Sequence, residues 1–193
     1  SNYNVSYENN SEYNFTITNS HIVEFTSVNV TKVWDDSDDH DGFRPADVTF
    51  VLLADGTEVD RAVLSGTGNV WSASFNDLPV YKDGKKIVYS VGEVSVDNYN
   101  STVTNSSLGN YTITNSRVVV YTSITLTNVC DNDHVHDGFS PAYVTFVLNA
   151  NGRYYANVTL SGAGNVWNAS FTDLPVYANG SAIVYTVDEL PVA

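Results

Sequence analysis

The sequence has no methionine, a single cysteine, and only 8 lysines and arginines against 22 acidic residues, which gives a net charge of −14 over 193 residues. A chain this acidic is poorly suited to bind nucleic-acid backbones, because these require clustered basic side chains. One cysteine excludes an internal disulfide framework, and no Cys/His spacing indicates a structural zinc site. No apolar run reaches the roughly 18 residues needed to cross a bilayer. Hydrophobic residues still make up 42% of the chain, which is enough to build cores.

The apolar residues are mainly valine, tyrosine, phenylalanine and isoleucine, interspersed with threonine and serine. These residue types favour β-strands, and stretches such as 28–34 and 111–115 alternate with a period of two. Asp-Gly and Asn-Gly turn signals recur at short intervals, for example at Asp41, Asp55 and Asn151. No segment of useful length has a helical period. The sequence therefore predicts an all-β fold of Ig-like or transthyretin-like sandwiches.

An internal repeat dominates the chain, with an offset of 96 residues between Asp41 and Asp137. Three matching pairs of segments carry it: 41–52 with 137–148, 68–71 with 164–167, and 77–81 with 173–177. Two similar domains are therefore predicted in tandem.

The last segment of the second repeat does not follow the rest of that repeat along the chain. Residues 21–116 form a complete repeat, whereas residues 117–193 lack a match to its final segment. That match lies in residues 1–20, where Phe15-Thr16-Ile17-Thr18-Asn19 corresponds to Tyr111-Thr112-Ile113-Thr114-Asn115. We expect residues 1–20 to act as donor strands that complete the acceptor domain of another copy, because an open sandwich exposes unpaired backbone. The alternative is a covalent array in which successive copies follow one another in one polypeptide.

Several motifs resemble the B-type repeat of collagen-binding adhesins, the CnaB-like domains. They occur in order, in two copies, over nearly the whole chain, and the first copy carries them at 30–36, 41–45, 77–79, 89–93 and 111–115. The resemblance implies small β-sandwiches that serve as stalk modules in surface adhesins and pili. It also implies a self-formed isopeptide bond between lysine and asparagine, promoted by a buried acid.

Carried onto this sequence, the resemblance implies Lys32 as the amine, Asn115 as the amide and Glu93 as the promoter. Strand alternation places each of the three on a face shared with apolar residues. Burial disfavours charge, so a buried lysine can become a neutral nucleophile and a buried glutamate can carry a proton. Alternation alone leaves another interpretation open, in which Lys32 extends to the solvent and Asn115 is a hydrogen-bonded strand end.

The second repeat departs from this pattern. Asn128 replaces the lysine and Cys130 replaces Trp34, although Glu189 remains and Asn19 is the matching amide. We therefore predict no isopeptide bond there, and a hydrogen bond from Asn128 to Glu189 or Asn19 in its place. Cys130 is predicted to be a buried, unreactive thiol, with a disulfide between copies as the alternative.

Surface signals indicate an extracellular protein at a cell surface. Asn-x-Ser/Thr sequons, the acceptors of N-glycosylation, begin at ten asparagines: Asn4, Asn9, Asn14, Asn29, Asn100, Asn105, Asn110, Asn157, Asn168 and Asn179. The acidic segment Asp35–Asp41 does not have the spacing of a calcium-binding loop, and we interpret it as a solvated loop without metal.

The sequence thus favours a structural subunit of a filament or adhesin stalk, assembled head-to-tail with further copies of itself and without a cofactor. The alternative is an adhesin module that itself binds a host glycan or matrix protein. No enzymatic activity is expected beyond the single-turnover formation of the isopeptide bond.

Overall fold

The computed structural model describes residues 3–130 and 141–191. Over these ranges the chain contains strands and no helix, so the prediction of an all-β fold is confirmed. The chain divides into two compact units, the first comprising residues 1–38 and 45–117 and the second residues 39–44 and 118–193. The second copy of the acidic segment and the start of the second Asp-Gly-Phe motif, both predicted within 131–140, lie outside the described residues.

The first unit begins with a hairpin of β1 (Tyr3–Ser11) and β2 (Asn14–His21). All residues of both strands are exposed, and they form a two-stranded sheet of their own. Nine further strands follow in the same unit: β3 (Phe25–Asp35), β4 (Asp47–Ala54), β5 (Thr57–Ser65), β6 (Val70–Pro79), β7 (Tyr81–Lys82), β8 (Lys85–Lys86), β9 (Tyr89–Glu93), β10 (Asn100–Ser107) and β11 (Asn110–Ser116).

These strands form a sandwich. One sheet has the order β10-β11-β3-β6 and the other the order β5-β4-β9, while β7 and β8 pair as a short hairpin. Strands β3 and β11 run parallel, whereas the other pairs of the unit are antiparallel. Alternate residues of β3 point inward, so that Val28, Val30 and Trp34 are at most 3% exposed. They pack with Phe50 and Leu52 of the facing sheet in one continuous core.

The second unit repeats this architecture with fewer strands. Its strands are β12 (Tyr121–Val129), β13 (Val144–Ala150), β14 (Arg153–Leu160), β15 (Val166–Pro175), β16 (Tyr177–Ala178), β17 (Ser181–Ala182) and β18 (Tyr185–Glu189). The sheet β14-β13-β18 matches β5-β4-β9, and β16-β17 matches β7-β8. The other sheet contains β12 and β15 alone among the described residues, where the first unit has four strands.

The shorter sheet leaves the core of the second unit open. Ile124 and Leu126 of β12, together with Cys130 directly after it, are only partly buried, although the corresponding residues Val28, Val30 and Trp34 are fully buried. The buried residues of this unit form two small clusters instead of one core.

The hairpin β1-β2 has the same internal pairing as β10-β11. Asn4 pairs with Ser20 as Asn100 pairs with Ser116, and every described pair up to Ser11 with Asn14 is likewise displaced by the repeat offset. Both hairpins also have a register shift at the same place. The hairpins β1-β2 and β10-β11 are therefore equivalent in strand pairing as well as in sequence.

Candidate functional site

Three polar side chains meet inside the first unit. Lys32 lies on β3 between the buried Val30 and Trp34, and Asn115 lies on the parallel neighbour β11, where it pairs with Trp34. Glu93 is the last residue of β9 in the facing sheet, where it pairs with Phe50. Strand alternation turns all three side chains toward the space between the sheets.

Burial around these groups is nearly complete. Lys32 and Asn115 are 0% exposed, so the interpretation in which Lys32 extends to the solvent is wrong. The lysine Nζ lies 3.1 Å from Glu93 Oε1 and 3.4 Å from Oε2, and the carboxylate side chain is only 2% exposed. Nζ also lies 4.4 Å from the centre of the Trp34 ring. The structure thus brings the predicted amine and the predicted promoter into direct contact.

The amine is held in a state that favours loss of its proton. Burial lowers the pKa of Lys32 below its ordinary value of 10.5, while the hydrogen bond and charge of Glu93, together with the charge of Asp36, oppose that shift. A buried amine with a lowered pKa has an accessible lone pair and can act as a nucleophile.

Asn115 provides the carbon that such an amine could attack. Neither Oδ1 nor Nδ2 of its amide has a hydrogen-bond partner among the described residues, although both atoms are buried. Leaving a buried polar group unpaired costs about 1–3 kcal/mol, so a side-chain amide of this kind requires an explanation. Ser101 lies at the same end of the site, where its Oγ is 3.4 Å from Glu93 Oε2.

Sequence reasoning missed Asp36, whose charge acts on Lys32, and Tyr99, which packs against Trp34. Asp36 was interpreted as part of a solvated loop, but it is 3% exposed, and its Oδ2 accepts a hydrogen bond of 2.8 Å from the hydroxyl of Tyr99. The Tyr99 ring in turn packs edge-on against Trp34, with ring centres 5.0 Å apart. The signal was available, because Asp36 continues the inward face of Lys32 and Trp34 at i+2 spacing. Asp41 of the same segment is also buried, at 2% exposure.

The residues that correspond to Glu93 and Asn115 by the repeat offset differ from them in burial. Glu189 and Asn19 are exposed. Asn128 donates to Cys130 Sγ at 3.3 Å, and its hydrogen bond to Glu189 or Asn19 in a unit completed by another copy stays a prediction. Cys130 is a free, half-buried thiol.

All ten sequon asparagines are exposed, so each is accessible to a glycosylating enzyme. Asn29 and Asn110 are neighbours on the outer face of the larger sheet, where Asn29 Nδ2 donates to Asn110 Oδ1 at 3.2 Å. Within residues 3–130 and 141–191, no group of three or more acidic, histidine or cysteine side chains is placed to hold a metal ion. The same ranges contain no helix long and apolar enough to span a membrane.

The lowered pKa of Lys32 should make the stability of the first unit depend on pH in a variant that cannot form the predicted isopeptide bond and so retains the free amine. In an Asn115→Ala variant, the unfolded chain binds more protons than the folded one between the lowered pKa and 10.5. We expect the free energy of unfolding of the first unit to rise with pH across that interval and to level off above it. Denaturant titrations at a series of pH values measure this slope.

A Lys32→Met/Asn115→Ala variant is the matched control, since it removes the titrating amine and retains the remaining groups. Its profile should lack the rise that Asn115→Ala shows. A flat or falling profile for Asn115→Ala, relative to this control, would contradict the lowered pKa.

Two β-sandwiches in tandem, one of which buries a lysine, a glutamate and an asparagine together, define a repeat module. Comparison with known families assigns the module, because the family model for the Cna protein B-type domain matches residues 28–116 and 124–193. The chain belongs to this family, and the resemblance drawn from its motifs is confirmed.

Similar proteins come from Staphylococcus aureus. A collagen adhesin is 36% identical over 183 residues, which cover 95% of this chain and 15% of that protein. The structure of two B repeat units of a collagen binding protein is 34% identical, covers 98% of this chain and 49% of that chain, and has a TM-score of 0.48. A single B repeat unit is also 34% identical, with 87% of each chain covered and a TM-score of 0.41. The chain thus spans a small part of the curated relative that it matches.

Proposed function

We propose that this chain is a structural repeat of an extracellular stalk or filament, in which the hairpin β1-β2 of one copy completes the second unit of another. Copies joined in this way follow one another head-to-tail, whether they are separate chains or parts of one polypeptide. A Lys32–Asn115 isopeptide bond stiffens the first unit of each copy.

The observation that carries this proposal is the shared register of the two hairpins. β1-β2 reproduces the pairing and the register shift of β10-β11, yet it is exposed throughout. Phe15 is 61% exposed and Ile17 is 59% exposed, whereas Ile113, the counterpart of Ile17, is 0% exposed. A hairpin with an apolar face and no core fits best as one half of an interface.

The second unit offers the complementary half. β12 is the counterpart of β3, and its open edge corresponds to the edge of β3 that pairs with β11. A donated β2 would pair with β12 in parallel, as β11 pairs with β3. The repeat offset converts each strand pair of the first unit into an expected pair between copies. The pair of Tyr111 with Val30 corresponds to Phe15 with Leu126, and the pair of Ile113 with Lys32 corresponds to Ile17 with Asn128. Added strands of this kind gain backbone hydrogen bonds and bury alternate side chains.

The contact is heterologous, since different surfaces of the two copies meet. A heterologous contact that does not close into a ring generates an open chain of subunits. The lack of a lysine at Asn128 leaves this joint without the amine that an isopeptide bond requires.

Bond formation in the first unit needs no further reactant. Lys32 transfers a proton to Glu93, and the neutral Nζ attacks Cγ of Asn115. The new Nζ–Cγ bond forms as the Cγ–Nδ2 bond breaks. Glu93 gives its proton to the departing Nδ2, which leaves as ammonia, and then accepts the second proton that Nζ loses when it becomes an amide nitrogen. The contact between Nζ and Glu93, together with the unpaired amide of Asn115, supports this reaction.

Placement at a cell surface is supported by the exposed sequons and by the relatives, one of which is described as a collagen binding surface protein. Collagen binding is stated for that protein, of which this chain matches repeat units. We propose a structural stalk repeat in preference to a module that binds a host ligand, because strand complementation accounts for both the exposed hairpin β1-β2 and the open sheet of the second unit.

Negative-stain electron microscopy of the purified 193-residue chain tests the assembly. We expect beaded filaments that lengthen with protein concentration, because each copy carries both halves of the joint. A variant without residues 1–21 is the control and should remain monomeric. The proposal is wrong if the complete chain stays monomeric at all concentrations, or if the deletion variant forms the same filaments.

A further inference from the structure

The edge strand β14 of the second unit carries little charge. It stands at one end of the sheet β14-β13-β18, so one side of its backbone has no partner strand within residues 3–130 and 141–191. Of its eight residues, only Arg153 is charged. Tyr154 is 65% exposed and Tyr155 is 46% exposed. An exposed edge with high β-propensity and little charge tends to pair with the edge of another molecule.

The matching strand of the first unit is protected by charge. β5 also stands at one end of its sheet, and it carries Glu58, Asp60 and Arg61. The Arg61 guanidinium donates to the Glu58 carboxylate at 2.7 and 3.1 Å. Charged side chains on an edge strand oppose pairing with another edge. β14 therefore requires a different form of protection.

Tyr154 and Asn157 replace the ion pair of Glu58 and Arg61 in β14. Strict alternation would place residues three apart on opposite faces, but the pairing of β14 with β13 has a register shift that passes over Tyr155. The two side chains consequently meet, and Asn157 Nδ2 donates to the Tyr154 hydroxyl at 3.2 Å. β5 has its register shift at the same place, so the two pairs of side chains are equivalent in position.

Asn157 also begins a glycosylation sequon that the first unit does not have at this place. The sequon ends at Thr159, which is exposed, and the counterpart of Thr159 is Val63. The acceptor asparagine, the threonine of the sequon and the neighbouring tyrosine thus all differ from β5. Where β5 has charges, β14 has an acceptor for carbohydrate beside an exposed aromatic ring.

We propose that Asn157 carries an N-linked glycan, and that its first sugar packs on the Tyr154 ring and covers the edge strand β14. In this modification a separate transferase presents a glycosyl diphosphate, and Nδ2 attacks its anomeric carbon. The bond from Nδ2 to that carbon forms as the bond from the carbon to the phosphate oxygen breaks. Nδ2 loses one hydrogen as a proton, and the diphosphate leaves with the electron pair of the broken bond.

The geometry supports contact between the sugar and the ring. The first sugar is bonded directly to the nitrogen that lies 3.2 Å from the Tyr154 hydroxyl, so it begins beside that side chain. Nδ2 keeps its second hydrogen and can continue to donate it to the hydroxyl. The slightly positive C–H groups on the face of a sugar ring are attracted to the negative face of an aromatic ring. This inference requires the proposed extracellular placement, but neither the strand exchange nor the isopeptide bond.

Expression of the complete chain in secreting eukaryotic cells, which attach glycans through N-acetylglucosamine, tests the contact. We expect glycopeptide mass spectrometry to find Asn157 occupied. A peptide-N-glycosidase acting on the folded chain should release this glycan roughly 2- to 10-fold faster from Tyr154→Leu, as expected for the loss of one aromatic contact. Tyr154→Phe keeps the ring and should behave as the original chain does. Release at Asn168, on β15, is the internal control and should be the same in all variants.

Light scattering of the same glycosylated chains tests whether the glycan covers β14. Asn157→Gln removes the glycan without adding charge and should aggregate at a lower protein concentration than the original chain. Tyr154→Glu/Asn157→Arg also lacks this glycan, but it introduces the ion pair of Glu58 and Arg61 and should restore the original threshold. Asn168→Gln, which removes a sequon from β15, is the matched control. Assembly through β2 would be common to all four chains, so differences between them report on β14.

The outcomes separate this inference from the proposed function. An unmodified Asn157, or equal release from Tyr154→Leu and the original chain, overturns the contact between the glycan and Tyr154. Equal thresholds for Asn157→Gln and the original chain, or failure of the introduced ion pair to restore the threshold, overturn the covering of β14. None of these results bears on the beaded filaments, whose absence would overturn the strand exchange and leave this inference standing.

Discussion

A Glu93→Gln chain is expected to retain its full sequence mass, whereas the original chain is expected to be lighter by one ammonia. Glutamine keeps the shape of the side chain but cannot accept the proton of Lys32, so the nucleophile remains charged. The missing bond would otherwise close a loop of roughly 80 residues, a constraint that stabilises by about 4 kcal/mol on the scale of disulfides. We therefore expect the unfolding temperature of the first unit to fall by roughly 15–30 °C.

Intact-mass spectrometry of the denatured, deglycosylated chain and differential scanning calorimetry make these two measurements. Glu189→Gln is the matched control, because it makes the same change at the exposed counterpart in the second unit. Asn115→Ala also prevents the bond but keeps the Lys32–Glu93 contact, and so separates loss of the bond from loss of the ion pair. An original chain at full sequence mass, or a Glu93→Gln chain that still loses ammonia, would contradict the proposed reaction.

Aspartate at both Phe15 and Ile17 should abolish association between copies. These residues correspond to Tyr111 and Ile113, which face the core of the first unit. Burying two such side chains contributes about 3–6 kcal/mol, so their loss should weaken association by roughly 100- to 10,000-fold. Sedimentation velocity of the complete chain measures the change.

Thr16→Asp/Thr18→Asp provides the comparison, because it adds the same charge on the opposite face of β2. It should associate nearly as well as the original chain, since an outward side chain remains in solvent after the strand is added. Equal weakening by both pairs would mean that charge, and not the apolar face, controls assembly. Unchanged association for Phe15→Asp/Ile17→Asp would exclude the hairpin as the donor.

Much of the first unit could be predicted from sequence because its signals are local. Period-two alternation located the strands, and the faces of β3, β9 and β11 placed Lys32, Glu93 and Asn115 toward the core. The contact of Nζ with Glu93 at 3.1 Å agrees with that placement. The roles predicted for these three residues came from the resemblance to CnaB domains, because alternation alone indicates which side chains face the core and not what they do.

The features that sequence reasoning missed depend on contacts between distant residues. Asp36 looked solvated because it begins a run of aspartates, yet its partner Tyr99 lies 63 positions away. The composition of a segment indicates how exposed its residues are on average, whereas tertiary contacts determine which individual side chains are buried.

The parallel pairing of β3 with β11 determines how a pulling force would pass through the first unit. The chain enters at Phe25 and leaves after Ser116, at opposite ends of two adjacent strands, so that tension shears their hydrogen bonds together instead of opening them one at a time. With Lys32 and Asn115 joined, the load would run along β3 to Lys32 and leave through Asn115. The residues between them would carry almost none of it. In the assembly proposed above, the first unit would then keep its fold under loads that separate β2 of one copy from β12 of another. A stretched filament would part between copies, while each first unit stayed folded and able to rejoin.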